Sequence, residues 1–125
     1  MKQINKQKEF EERLKQFALR VLKLTKALPK TMENQIYCRQ VIRSSSSVGA
    51  NYAEATCAHT KPDFLHDINK CRKESKESVY WLELLFETNP SFQLKMRDLI
   101  GESKQIFKIF MSSVKTAKAN NLISK

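Results

Sequence analysis

The sequence predicts an all-α protein that folds as an antiparallel up-down-up-down four-helix bundle. Its 125 residues include only two glycines and three prolines, which are too few turn formers for a many-stranded sheet. Apolar residues recur every three or four positions through four long segments, which is the period of one helix face. Short connections between these segments make successive helices antiparallel. We therefore expect a single domain over residues 1–125, with helices at about 5–28, 32–58, 61–87 and 91–118.

Helix 1 is predicted from a seam of apolar residues whose spacing alternates between four and three. Pro29 cannot continue a helix and therefore ends it. Plain core packing explains this seam without any ligand. Its members are Phe10, Leu14, Phe17, Val21, Leu24 and Leu28.

Helix 2 contains four consecutive serines at 44–47 and a glycine at position 49, which are typical of a linker. The helical period nevertheless runs through them. A propensity cost of roughly 0.5 kcal/mol per serine is then offset by close packing, since small side chains let another helix approach. Thr31 is the expected N-cap. The seam comprises Val41, Ser45, Val48, Tyr52 and Ala55.

Helices 3 and 4 each follow a capping signal. Thr60 with Asp63 three residues later is similar to a capping box, and Pro62 lies in the first turn, where it costs no hydrogen bond. Asn89 and Pro90 predict the cap and first position of helix 4. The two seams are Phe64, Ile68, Cys71, Ser75, Ser78, Leu82 and Leu85, and then Phe92, Met96, Leu99, Ser103, Ile106, Phe110 and Val114.

A polar stripe follows helix 2 beside its apolar seam. It consists mainly of short serine and asparagine side chains rather than the lysine and glutamate of a solvated face, so we expect it to pack against helix 3. In an antiparallel pair joined near residue 60, facing positions have numbers that sum to about 121. This rule pairs Ser47 with Glu74, Ser44 or Arg43 with Glu77, and Asn51 or Glu54 with Lys70. The polar motif is therefore Gln40, Arg43, Ser44, Ser47, Asn51, Glu54, Lys70, Glu74 and Glu77.

The chain carries a formal net charge of +10, and the excess is unevenly distributed. Helix 1 has seven basic and three acidic residues, and the segment from residue 91 onward has seven and two. Helix 2 is balanced at two and two, and helix 3 has five against six. Because the first and last helices of an up-down bundle are neighbours, we expect their outer faces to merge into one basic strip roughly 30 to 40 Å long.

A basic strip of this length fits a nucleic acid better than a small anion. The sequence contains no helix-turn-helix, zinc finger or aromatic-bearing sheet, so we expect contacts to phosphates with little sequence preference. The alternative is that the charge serves only solubility and that the protein is an interaction scaffold. The candidate nucleic-acid-binding residues are Lys6, Arg13, Arg20, Lys23, Arg97, Lys104, Lys108 and Lys115.

The residues do not favour an enzyme, a cofactor or a metal site. No nucleophile, base and orienting group form a recognisable set. The three cysteines, at positions 38, 57 and 71, have neither zinc-site nor redox spacing, and they are typical of small buried residues in a reducing compartment. No segment approaches the ~20 apolar residues of a membrane span, so we expect a soluble, cytoplasmic protein without a membrane partner.

The polar motif resembles the signature of a known family. Gln40, Arg43, Ser44, Ser47, Asn51, Ala53 and Glu54 in QVIRSSSSVGANYAE are similar to those of bacterial four-helix-bundle proteins encoded by intervening sequences in large-subunit ribosomal RNA genes. The segment DFLHDINKCRKESKESVYWLELL resembles that family's third helix, and the likeness covers about residues 10–115. A glycine commonly follows the motif glutamate in the family. This chain has Ala55 there, so we expect helix 2 to continue through Thr56 to Ala58.

The resemblance also carries expectations about assembly and partners. The family is related to the accessory protein of diversity-generating retroelements, a basic nucleic-acid-binding partner of a reverse transcriptase, and its members form homopentameric barrels. It therefore implies a homo-oligomer, with a pentamer expected, and RNA or DNA as a ligand. Tyr80 and Trp81 lie outside the predicted seams and would be partly exposed in a monomer, which agrees with a contact between subunits.

Overall fold

Four α-helices and one short 3-10 turn make up the fold. The computed structural model describes the backbone of residues 2–124 and the side chains of residues 5–122. The helices are Lys2–Ala27 (α1), Met32–Thr56 (α2), Lys61–Thr88 (α3) and Gln93–Ser124 (α4), and the turn is Pro90–Phe92. Residues 2–124 contain no strand. The predicted all-α four-helix bundle is confirmed.

Contacts between α2 and α3 show that these helices run in opposite directions. Ser44 Oγ lies 2.8 Å from Ser78 Oγ, and the Cys71 thiol lies 3.6 Å from the carbonyl oxygen of Val48. Residue numbers therefore fall along α3 as they rise along α2. The sums of the paired numbers are close to the predicted 121.

Contacts between α1 and α4 make the first and last helices neighbours. The Phe10 and Phe110 rings are 5.5 Å apart, and Arg13 is hydrogen-bonded to Glu102, so these helices are also antiparallel. The packing of α1 against α4 is sparse, whereas α2 with α3 and α3 with α4 pack extensively.

The four predicted seams form most of the core. The Phe64 side chain is an exception, because it is 37% exposed near the start of α3. Phe10 and Tyr52 are also only half-buried, and they meet edge to face at 5.0 Å. The fully buried large side chains are Phe17, Phe110, Leu14, Ile68, Leu82, Leu85, Met96, Ile106, Val21, Val41, Val48 and Cys71.

The serine run of α2 is helical, as its period predicts. Ser44 and Ser45 are buried, and their hydroxyls reach backbone carbonyls one turn earlier as well as, for Ser44, the hydroxyl of Ser78. Ser46 faces solvent. Burying two small, hydrogen-bonded residues lets α2 approach its neighbours closely, which compensates for their low helix propensity.

Several helix boundaries differ from the prediction. Helix α1 begins at Lys2 rather than at about residue 5, and α4 extends to Ser124 rather than to about residue 118. Helix α2 ends at Thr56, two residues before Ala58, with Cys57 as its C-cap. Asn89 does not cap helix 4 with its side chain. Instead its amide turns inward to Asn34, so the chain enters α4 through the 3-10 turn. The other caps are as expected, with Thr31 and Thr60 accepting from backbone N–H groups three residues later.

Within residues 2–124, none of the helices contains the long apolar stretch that a membrane span requires.

Candidate nucleic-acid interface

The α1 row, defined as Lys6, Arg20 and Lys23, is the part of the predicted basic strip that faces solvent on helix α1. All three side chains are exposed. Within residues 5–122, none of them forms an ion pair. These three charges lie along about 26 Å of helix, at 1.5 Å per residue. The charge of Arg20 also helps to lower the pKa of the Glu102 carboxyl, without an ion-pair contact.

Arg13 lies seven residues from both Lys6 and Arg20, but its guanidinium is already paired with a carboxylate. Its Nε and Nη2 donate to the two carboxylate oxygens of Glu102 at 2.8 and 2.7 Å, and Nη2 also donates to Gln105 at 3.1 Å. This bond holds the pKa of the Glu102 carboxyl below its usual range, although burial opposes the shift. Arg13 therefore joins α1 to α4, and binding phosphate would require breaking that pair.

The α4 row consists of Arg97, Lys104, Lys108 and Lys115, which are all exposed. This row turns toward α3 rather than α1. Lys104 lies 3.7 Å from the Glu83 carboxylate, and Arg97 and Lys104 line a groove shared with α3. At 3.6 residues per turn, Lys104 and Glu102 point about 160° apart on α4.

These contacts do not support the expected merging of the two rows into one strip. The α1 row lies near the α1–α4 contact, whereas the α4 row lies on the other side of α4. Glu102, bonded to Arg13, separates them. Sequence counting found the excess charge correctly, but it could not tell which side of α4 faces α1. The consequence is two basic rows of similar length on different faces of the bundle.

The polar motif forms a network between α2 and α3. Arg43 donates to Glu74 at 3.1 Å and is also bonded to Glu77, and its Nε donates to Gln40 at 3.2 Å. The pairing of Arg43 with Glu77 is the one that the sum of residue numbers predicts. Ser44 instead meets Ser78.

The rest of the polar motif is not brought together in a single chain. Among the described side chains, Ser47, Asn51, Glu54 and Lys70 have no hydrogen-bond partner. Glu54 and Lys70 are exposed, and Ser47 and Asn51 are half-buried. The expected pairs of Ser47 with Glu74, and of Asn51 or Glu54 with Lys70, are therefore absent here.

An aromatic cluster lies beside the network. The sequence singled out Tyr80 and Trp81, but the contacts of Trp81 with Tyr37 and Glu77 were not predicted. The Trp81 indole N–H donates to Glu77 at 3.0 Å, while its ring stacks on Tyr37 at 6.0 Å and meets Tyr80 at 5.0 Å. The spacing of four residues between Glu77 and Trp81 was the available signal. Ile36 and Tyr80, the chain neighbours of Tyr37 and Trp81, are more than half exposed, so this face of α2 and α3 presents apolar surface next to the ion pairs.

The cysteine nearest the centre of the bundle lacks the chemistry of a nucleophile. Burial raises the pKa of the Cys71 thiol to about 12. A thiol with that pKa stays protonated at neutral pH, and the thiolate is the reactive form. Its contact with the Val48 carbonyl is that of a packed core residue.

Comparison with known proteins assigns the fold and the family. The family model of the 23S rRNA-intervening sequence proteins matches residues 6–112. One similar protein of known crystal structure is a protein of unknown function from the S23 ribosomal protein family of Bacteroides thetaiotaomicron. Its sequence is 32% identical to this one, its structure matches with a TM-score of 0.75, and the match covers 84% of this chain and 97% of that chain. None of the curated proteins compared is significantly similar. The chain belongs to the family of 23S rRNA-intervening sequence proteins.

Proposed function

We propose that this protein is a non-enzymatic, cytoplasmic, oligomeric factor that binds nucleic acid through phosphate contacts. The observation that carries the proposal is the α1 row of three exposed cations without ion-pair partners in the described chain. The counterions released on binding come from the phosphates that the protein neutralises. A cation paired with a carboxylate must give up that pair to neutralise a phosphate, whereas an unpaired cation need not. The family's description as ribosomal RNA-intervening sequence proteins agrees with a role near RNA, as accessory or ribosomal-RNA-associated factors.

The two basic rows are proposed to act separately. Each follows one helix for roughly 26 Å, a length that suits several successive phosphates. The α1 row is proposed to dominate, because Lys104 in the α4 row lies near Glu83, and Glu83 and Glu87 line the adjoining groove. Carboxylates beside a cation repel a phosphate and weaken its binding.

The binding test is an electrophoretic mobility titration with single-stranded and duplex RNA and DNA at low salt. Charge reversal of Arg20 and Lys23 to glutamate should weaken binding at least tenfold. The matched control reverses Lys73 and Lys76, two exposed lysines of α3, and so changes the net charge equally; it should alter binding less than about twofold. Equal losses in both variants, or no complex with any nucleic acid, would refute the proposal.

Oligomerisation is proposed from the outer face of α2 and α3. Ile36 and Tyr80 are 52% and 56% exposed, close to the stacked Tyr37 and Trp81. Asn51, about 22 Å farther along α2 from Ile36 at 1.5 Å per residue, also has no hydrogen bond within the described chain. Such a combined apolar and polar surface is typical of a protein contact, and the family resemblance makes a homopentamer the expected assembly.

Light scattering tests the assembly. The proposal expects five times the 14.6 kDa of one chain, and loss of the oligomer in an Ile36→Lys, Tyr80→Lys variant. Leu94→Lys is the control, since Leu94 is an exposed apolar residue of α4. A monomer in the wild type would remove the oligomer from the proposal.

The second candidate function is a protein-interaction scaffold with no nucleic-acid role. The exposed apolar face of α2 and α3 favours it, because that surface would serve a protein partner whether or not the basic rows bind anything. A stable oligomer that forms no complex with any nucleic acid would establish this function over the first.

A further inference from the structure

A cavity of about 270 Å³ lies between α1 and α2, beside the loop that joins them. Its charged lining consists only of basic side chains, namely Lys26, Lys30 and Arg39. Gln35 adds an amide, and apolar side chains such as Leu22 and Ile42 complete the lining. The cavity lies on neither basic row, since it is formed by the end of α1 and the first half of α2.

The positive charge of this cavity is not neutralised within the described chain. None of its three cations forms an ion pair between residues 5 and 122. Glu33 is the sole acidic residue between positions 20 and 43, and it points about 160° away from Gln35 on α2, at 3.6 residues per turn.

No acidic residue of α3 or α4 lines the cavity either. At the same end of the bundle, Glu83 and Glu87 line a different groove, between α3 and α4, where they face Arg97 and Lys104. The cavity between α1 and α2 is therefore a local concentration of positive charge, formed by three side chains that are all exposed to solvent.

Contacts within the loop fix one of the cations at the cavity. The Lys30 ammonium donates to the Thr25 carbonyl at 3.3 Å, and the Lys30 carbonyl accepts from Gln35 at 3.1 Å. Burial raises the pKa of the Cys38 thiol, and the positive charge of Lys30 partly opposes that rise. Cys38 also lines the cavity, so the field of Lys30 is felt inside it.

We propose that this cavity is a phosphate-binding site, in which Lys26, Lys30 and Arg39 hold a phosphate or diphosphate group. A guanidinium matches phosphate oxygens in a bidentate geometry, and the two ammonium groups add charge. The cavity is smaller than most sites for drug-sized ligands, which fits a phosphate group rather than a whole oligonucleotide. The group comes either from the end of a nucleic acid strand or from free phosphate or pyrophosphate. This site stands independently of the two basic rows.

The first test is a titration of the full chain with pyrophosphate, followed by calorimetry and by amide NMR shifts. The proposal expects shifts at Gln35 and Arg39, and a loss of affinity of at least tenfold in a Lys26→Gln, Lys30→Gln, Arg39→Gln variant, since one charge-assisted hydrogen bond accounts for about tenfold. The control removes three exposed lysines elsewhere, at positions 8, 73 and 76, and should bind normally. No binding by the wild type, or an equal loss in the control, would overturn the proposal.

The second test uses the wild type alone, so it does not depend on the folding of a variant. Pyrophosphate should slow alkylation of Cys38, which is half-buried in the cavity, and leave Cys57 unaffected, because Cys57 is exposed at the other end of α2. Equal protection of both thiols, or protection by polyglutamate but not by pyrophosphate, would contradict a phosphate site.

The source of the phosphate is decided with oligonucleotides. Stronger protection of Cys38 by a 5′-phosphorylated strand than by its 5′-hydroxyl counterpart would support a nucleic acid end, and protection by pyrophosphate with no such difference would support free phosphate. Failure of the α1 row to bind nucleic acid leaves the pyrophosphate results unchanged, so the two proposals fail separately.

Discussion

Asn34 and Asn89 form a buried pair that joins the loop between α1 and α2 to the loop between α3 and α4. Each side-chain amide donates to the other's oxygen at 2.8 Å. Asn34 also donates to the Pro29 carbonyl, and Asn89 to the Leu85 carbonyl, both at 2.9 Å. The residues are 2% and 7% exposed, so water cannot readily replace a missing partner.

Replacing Asn34 with leucine keeps the side-chain volume similar but removes three of these hydrogen bonds. Asn89 then retains its bond to Leu85 but loses both partners on Asn34, and the Pro29 carbonyl loses its donor. With about 1–3 kcal/mol for each buried polar group left unsatisfied, and partial relaxation, we expect a loss of about 2–4 kcal/mol in the free energy of unfolding. Urea denaturation followed by far-UV circular dichroism measures it.

A double-mutant cycle separates the interaction energy between the two asparagines from the effect of repacking around each new leucine. Asn34→Leu with Asn89→Leu should cost less than the sum of the single substitutions, with a coupling of about 1–3 kcal/mol, because neither amide is then left alone. Asn120→Leu, at an exposed position of α4, is the control and should change stability by less than about 0.5 kcal/mol. Additive losses would refute the interpretation that the two amides act as a pair.

Three further predictions concern stability. Gly101 is exposed in the interior of α4, and a Cβ at this position would have no atom within 4 Å. Gly101→Ala should therefore stabilise the folded chain by about 0.5–1 kcal/mol. A lower melting temperature of the variant would contradict this. The Ser103 hydroxyl is buried without a partner in the described chain, so Ser103→Ala should be neutral or stabilise by about 1 kcal/mol in urea denaturation, whereas a large loss would indicate an overlooked partner. Glu102→Gln should cost about 1 kcal/mol at neutral pH. Folding lowers the pKa of the Glu102 carboxyl, so the wild type loses this stabilisation as the pH falls below about 4.3, the usual pKa of a glutamate, toward the lower pKa of the folded state. The difference in unfolding free energy between wild type and variant should therefore disappear in acid. A difference that stays constant with pH would refute the role of the ion pair.

The helices and most of the core could be predicted from the sequence because both depend on local periodicity. The seam from Leu14 to Leu28 and the burial of Ser44 and Ser45 follow from spacings of three and four residues within one helix. The pairing of Arg43 with Glu77 needed only one further assumption, that α2 and α3 are antiparallel and joined near residue 60.

Contacts that depend on how distant helices face each other could not be predicted in this way. The pairing of Arg13 with Glu102 depends on the rotation of α4 about its own axis, which hydrophobic spacing fixes only coarsely. Asn89 matches a helix cap by local rules, yet its amide turns to Asn34, 55 positions away. A buried partner of the right chemistry therefore prevailed over the local capping preference.

The cavity between α1 and α2 was missed for a similar reason. Counting charges by helix made helix 2 appear neutral, because its two acidic residues balance Arg39 and Arg43. In three dimensions Arg43 is paired with glutamates of α3, while Arg39 shares a cavity with two lysines from the end of α1 and the loop. Charge that is balanced along one helix is therefore unbalanced at this site.

The central proposal, that the α1 row binds nucleic acid through phosphates, is tested most directly by the salt dependence of binding. The logarithm of the association constant of the wild type for a single-stranded RNA should fall linearly with the logarithm of salt concentration. A Lys6→Ala, Arg20→Ala, Lys23→Ala variant should have a slope smaller by about 0.7 for each phosphate that it no longer neutralises. Affinity should vary little with base sequence. An unchanged slope in the variant, or binding that is insensitive to salt, would contradict the proposal.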